Sequence, residues 1–168
     1  MTEIIDIFDE DMKHVGTMEK VRAHNENRWH KSVHIWITDG KNVLVQLRAA
    51  GKREFPNLWD ISAAGHLPAG EDPLQGAKRE FEEELGIPWT FGDIKEDCVI
   101  KNKNEFQYMY FIKTKLDIKK LNIQKDELAD IKWVPFAEFE KLLCSDKHVP
   151  NPEHYRRAVL AGLKGVMA

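Results

Sequence analysis

The sequence predicts an α/β fold in which a mixed β-sheet is sandwiched between helices, built as one domain over residues 1–168. Three observations point there. Strand-like runs stand on both sides of one well-punctuated central helix, two later segments show helical spacing, and no repeat, low-complexity tract or Pro/Gly/Ser-rich linker divides the chain.

Taken in order, Ile4 to Phe8 is a short apolar strand, and Asp9-Glu10-Asp11 forms a turn. Val33 to Thr38 and Asn42 to Leu47 are strands joined by Asp39-Gly40, a strong hairpin signal. Ala49 to Pro56 carries Gly51, Lys52, Arg53 and Pro56 and reads as an exposed basic loop. Leu58 to Ser62 is a short strand leading into Ala63-Ala64-Gly65. The central helix has Asp72 as its cap and Pro73 in its first turn, with Gly86 and Pro88 as its stop. Phe106 to Ile112 is dense in aromatic and β-branched residues, as a buried strand is. Ile131 to Val134 is a last strand closed by Pro135, and Phe136 to Leu143 and Glu153 to Leu163 are helical.

Composition narrows the function. With 42% apolar and 32% charged residues in 168, the chain is long enough to bury a real core. A net charge of −3 gives no general attraction to a nucleic-acid polymer or an anionic membrane. A polyanionic ligand must then be held by local cations or metal. The two cysteines, Cys98 and Cys144, match no metal or redox spacing and read as reduced thiols of a cytoplasmic protein. Met1 to Glu10 alternates acidic and apolar residues and lacks the form of a signal peptide, and no run is long enough to span a bilayer. Monomer and homodimer both fit the sequence.

The chemistry concentrates between Gly65 and Ile87, GHLPAGEDPLQGAKREFEEELGI. At about 100° per residue, Glu83 falls about 60° to one side of Glu80 and Glu84 about 40° to the other. Three carboxylates therefore share one arc, beside an apolar stripe of Leu74, Ala77, Phe81 and Leu85, while Glu82 points away. Like charges this close repel, and a divalent cation among them offsets that cost. Arg79 can hold one carboxylate through a paired contact, and Gly65 and Gly70 let the backbone approach a metal or phosphate. Arg48, Lys52 and Arg53 are the nearby candidates for holding phosphate. Phe106, Tyr108 and Tyr110 share one face of their strand and either line a substrate cleft or pack the core. The five tryptophans read mainly as packing. Tyr155, Arg156 and Arg157 lie on a final helix that caps the domain or meets a second subunit.

Gly65, Glu71, Arg79, Glu80, Phe81, Glu83, Glu84, Gly86 and Ile87 fill every position of a pattern that resembles the signature of the Nudix (MutT-like) hydrolases. At average residue usage a chance match is rarer than about one in a million. The aromatic Phe81, where an aliphatic residue is usual, is the one soft departure. The resemblance implies a Nudix fold with a loop–helix–loop motif and a small-molecule diphosphate substrate. It implies Mg2+ or Mn2+ held by Glu80, Glu83, Glu84 and the Gly65 backbone, with Arg79 in the catalytic set. Those glutamates, Glu71 or Glu105 remain open as the group that handles the attacking water.

A second resemblance spans about Phe8 to Leu143. Phe8-Asp9-Glu10, Gly16-Thr17, Val21-Arg22-Ala23-His24, Trp29-His30, Phe55-Pro56-Asn57-Leu58-Trp59 and Gly65-His66 are similar to the isopentenyl-diphosphate isomerase branch of the superfamily. It implies a second metal site at His24, His30, His66 and Glu105. The isomerase uses a cysteine just before the Gly-His pair, where this chain has Ala64. Alanine has no proton to give, and the complete hydrolase signature points the same way. The sequence therefore predicts hydrolysis on an isomerase-type framework, with an isomerase or a silent nucleotide-binding module as the alternatives.

Overall fold

The computed structural model describes residues 2–168; Met1, first in the acidic–apolar N-terminal run, lies outside them. Strands β1 (Ile4–Phe8) and β2 (His14–Glu19) form an antiparallel hairpin, followed by the short helix α1 (Lys20–Asn25). Next come β3 (His30–Thr38), β4 (Asn42–Arg48), β5 (Trp59–Asp60) and β6 (Ala63–His66), then helix α2 (Pro73–Leu85). Strands β7 (Cys98–Asn102), β8 (Glu105–Lys113) and β9 (Leu128–Pro135) complete the sheet, and α3 (Phe136–Leu143) and α4 (Glu153–Met167) close the chain.

The main sheet runs β5-β4-β3-β8-β7, with β6 paired to β3 and β9 paired to β4. Only β3 and β8 are parallel, over nine residue pairs from His30–Glu105 to Thr38–Lys113. Both strands are buried along nearly their whole length, as the inner strands of a covered sheet must be. One face packs Val33, Ile35, Tyr110 and Phe106 against Ala77, Phe81 and Leu85 of α2. The other packs Trp36, Val45 and Met109 against Phe139 of α3 and Tyr155, Val159 and Leu163 of α4. Helices thus cover both faces. The tryptophans go into packing: Trp29 stacks on Phe106 and Trp36 meets Phe139 edge-on.

The punctuation of α2 is as its residues dictate. Asp72 accepts a hydrogen bond from the Gln75 amide at 3.1 Å, and Pro73 opens the helix. Gly86 ends it at φ 68°, and a side chain there would also strike the Asn122 carbonyl oxygen at 2.3 Å.

Two expectations change. Asp39 and Gly40 do make a turn, but β3 and β4 then pair only at Thr38–Val43 and part. Beyond that point β3 takes β6 and β8, and β4 takes β9 and β5. A turn motif specifies reversal, whereas long-range packing chooses the partner. Leu58 to Ser62 contributes only the two-residue β5, because the Asp60 carboxylate accepts the Ile61 amide locally. Strands β2 and β7 and helix α1 carry no clear apolar period, since β2 is largely exposed and α1 buries Ala23 alone. Cys98 and Cys144 are free thiols.

Candidate active site

The fork between β3 and β4 opens a cleft of about 1210 Å³. Its floor comes from alternate residues of β3 (His30, Ser32, His34) and β8 (Glu105, Gln107), and α2 lines one side with Glu80, Glu83 and Glu84. The glutamates share this edge because the helical period that sends Phe81 and Leu85 into the core turns them toward β6. Gly65 on β6 is what allows the approach: a Cβ there would lie 2.1 Å from the Glu80 carboxyl carbon.

Arg79 organises this wall. Its Nε and Nη2 donate to the two oxygens of Glu71 at 2.9 and 3.0 Å, a paired contact. Its Nη1 donates to Glu80 at 2.7 Å and Glu83 at 3.2 Å, and Nη2 also reaches the His66 carbonyl at 3.1 Å. The paired partner is thus Glu71, with Glu80 and Glu83 held from the side. Glu84 stands apart, 7% exposed, and accepts from the neutral Gln46 amide at 3.0 Å, with the Ala64 backbone amide also favouring its charged form. Burial and the neighbouring Glu80 push its pKa well above the ordinary carboxylate value. Burial also raises Glu80, against the pull of Arg79. Glu82 is exposed, as its angle on the helix requires.

Across the floor His24, His30 and His66 converge, with one ring nitrogen from each within 4.8 Å of the others. Glu105 joins them, its Oε1 3.2 Å from His66 Nε2 and 3.5 Å from His30 Nε2. Its Oε2 accepts from Ser32 Oγ at 2.8 Å. Burial opposes the charge on Glu105, but the His30 and His66 contacts hold its pKa well below the ordinary value. Burial and the two neighbouring imidazoles lower the pKa of His24. His30 is 2% exposed, its Nδ1 held by the Arg28 carbonyl at 2.8 Å, and its Nε2 is buried without a hydrogen-bond partner. That is how a backbone carbonyl presents an imidazole to a metal, and three imidazoles with a carboxylate form a set suited to a divalent transition ion.

The remaining residues divide. Arg48, Lys52 and Arg53 all line the cleft. Arg48 is paired with Asp60 at 3.1 Å and Lys52 is bonded to Glu127, while Arg53 is exposed. Tyr108 does not line it. With Phe106 and Tyr110 it faces α2 in the core, because Glu105 and Gln107 occupy the cleft-facing alternation of the same strand. Sequence reasoning passed over Gln46, His34 and Gln107 as cleft residues. The available signal was a polar residue interrupting an otherwise apolar strand run. Tyr155 of α4 also reaches the cleft, where its hydroxyl meets His34 Nδ1 at 2.6 Å.

Comparison with known proteins agrees with this architecture. The model of the NUDIX domain matches residues 28–157. An uncharacterised Nudix hydrolase of Clostridium acetobutylicum is 33% identical over 84% of this chain and 74% of its own length. Nudix hydrolase 3 of Arabidopsis thaliana is 32% identical over 74% of this chain, which spans only 18% of that longer protein. An isopentenyl-diphosphate Delta-isomerase 2 of Photorhabdus laumondii is 29% identical over 85% of this chain and 83% of its own length. The crystal structure of DR0079 from Deinococcus radiodurans superposes with a TM-score of 0.79, covering 93% of this chain and 98% of that one, at 16% identity.

Proposed function

The chain belongs to the Nudix family, and from that premise we propose that it hydrolyses a phosphoanhydride bond in a small diphosphate compound with Mg2+ or Mn2+ bound. Water adds to one phosphorus, the bridging P–O bond breaks, and two phosphate products leave. The observation that carries this reading is that the buried Glu84, beside Glu80, is met among the described residues by the uncharged Gln46 and Ala64 amides and by no cationic side chain. Two ionised carboxylates in that setting repel, and a cation between them favours the charged form that burial otherwise opposes. Glu80, Glu83, Glu84 and the Gly65 carbonyl would hold it, and a divalent ion there supplies charge neutralisation for the diphosphate and a lowered pKa for water. Arg79 keeps Glu71, Glu80 and Glu83 from swinging away, and Arg48, Lys52 and Arg53 stand on the wall for the distal phosphate. His24, His30, His66 and Glu105 make a second divalent site on the floor.

Isomerase chemistry has support in the relatives and in the histidine set, but Ala64 stands on the cleft wall where a proton donor is required. The test is release of phosphate products from a panel of nucleoside and prenyl diphosphates, with Mg2+, Mn2+ or chelator, followed by mass. Metal-dependent cleavage that falls at least about a hundredfold in Glu84→Gln is the expected result. Full activity in that variant refutes the assignment, and exchange of carbon-bound hydrogen in isopentenyl diphosphate establishes the isomerase instead.

A further inference from the structure

Beyond both sets of candidate ligands the cleft has an inner end that neither occupies. His34 faces it from β3 and Gln107 from β8, with Ala64 opposite His34 in the β3–β6 register. Tyr155 closes it from α4, its hydroxyl on His34 Nδ1 at 2.6 Å. With Nδ1 taken up by Tyr155, Nε2 is the hydrogen-bonding edge that His34 has left on the cleft lining.

Gln107 is the more telling residue. It is 5% exposed, and its amide nitrogen donates to Glu105 Oε2 at 3.2 Å. That contact fixes the amide, because the flipped form would set its carbonyl against a carboxylate. Among the described residues the Gln107 carbonyl oxygen has no partner and is buried. A buried acceptor without a donor is costly, and in a cleft wall it marks where a ligand hydroxyl or amide fits. A hydrocarbon chain in the same place would strand both Gln107 and His34.

We propose that His34, Gln107 and Tyr155 form the subsite for the group carried by the diphosphate, and that it selects a hydroxyl-bearing group, such as a ribose or other sugar, over a prenyl chain. This rests on the reading that the cleft holds a diphosphate. The group's hydroxyl donates to Gln107 Oε1, while the free edge of His34 meets a second oxygen.

The probes are ADP-ribose and isopentenyl diphosphate, each titrated with Mg2+ against the full-length protein and its Gln107→Met and His34→Phe variants. Affinity is read as calorimetric Kd, or as KM where the probe is turned over. Each variant is expected to weaken ADP-ribose about tenfold while leaving isopentenyl diphosphate unchanged or tighter. Folded variants with the wild-type ratio overturn the proposal, as does a wild type that prefers isopentenyl diphosphate or binds neither probe. Should Gln107→Met not fold, Gln107→Asn, which shortens the side chain and withdraws its oxygen, takes its place beside His34→Phe with the same expected fall in the ratio. The hydrolase reading fails separately: no cleavage of ADP-ribose to AMP and ribose 5-phosphate, with the binding pattern intact, removes hydrolysis and keeps the subsite. Hydrolysis that needs Glu84 but treats both probes alike does the reverse.

Discussion

Burial and the neighbouring Glu80 disfavour a charge on Glu84, and the cost is measurable without substrate. Glu84→Gln keeps the volume, retains an acceptor for Gln46 and removes one member of a repelling pair. In the metal-free protein it is expected to raise stability by about 1 kcal/mol, or about 2–4 °C in Tm at this size. A lower Tm would show that Glu84 is satisfied by something other than an ion. His148 behaves oppositely with pH. It is 1% exposed, and burial lowers its pKa from the ordinary 6.5. As pH falls below about 6.5 the unfolded chain takes up a proton that the folded chain refuses, so stability drops until the lower folded pKa is passed. Denaturant titrations at about pH 7.5 and about pH 5.5 should show a smaller loss in His148→Asn than in the parent. An equal loss assigns the acid sensitivity to other groups. The signature residues were legible because their spacing alone puts Glu80, Glu83 and Glu84 on one helical edge, the arrangement a shared ion would need. His34 and Gln107 were not, because a single polar residue in a strand gives no direction until the sheet face is known.

Among the elements, α2 was readable from end to end, since Asp72, Pro73 and Gly86 each act on backbone within a few residues. Strands β2 and β7 and helix α1 were hidden because their stability comes from neighbours distant in sequence. The hairpin at Asp39-Gly40 shows the same division: its turn is local, and the choice of β6, β8 and β9 as partners is not. Helix α4 depends on a close approach to the sheet. A Cβ at Gly162 would lie 2.2 Å from the Phe111 ring, so Gly162→Ala must displace the helix or the ring. The expected cost is about 1–3 kcal/mol, read as a lower Tm or denaturation midpoint. An unchanged midpoint would mean α4 docks less tightly than described.

For the molecule as a whole, the α/β sandwich, the Nudix fold and the convergence of His24, His30, His66 and Glu105 followed from pattern and resemblance. The position of Tyr108 did not, because the parity of β8 against its neighbours decides it. No helix among the described residues is long and apolar enough to cross a membrane. If the acidic edge of α2 binds an ion as proposed, the folded chain should be stabilised by that ion, because the edge is assembled only on folding. Mg2+ or Mn2+ at a hundred times its Kd is expected to add about 2.7 kcal/mol to unfolding, reversed by chelator and much reduced in Glu84→Gln. A melting curve indifferent to both ions, in parent and variant alike, removes the carboxylate site.

Between β3 and β4 the ladder is a single rung, Thr38 to Val43. Past that rung the buried Ser62 hydroxyl still ties the Ile37 amide to the Leu44 carbonyl, and beyond it the two strands diverge like the leaves of a book held near the spine. Gln46 and Arg48 stand on one leaf, and His30 and Glu105 on the other. A molecule gripping both would act as a clasp, and amide hydrogens at that rung would exchange more slowly once it is shut.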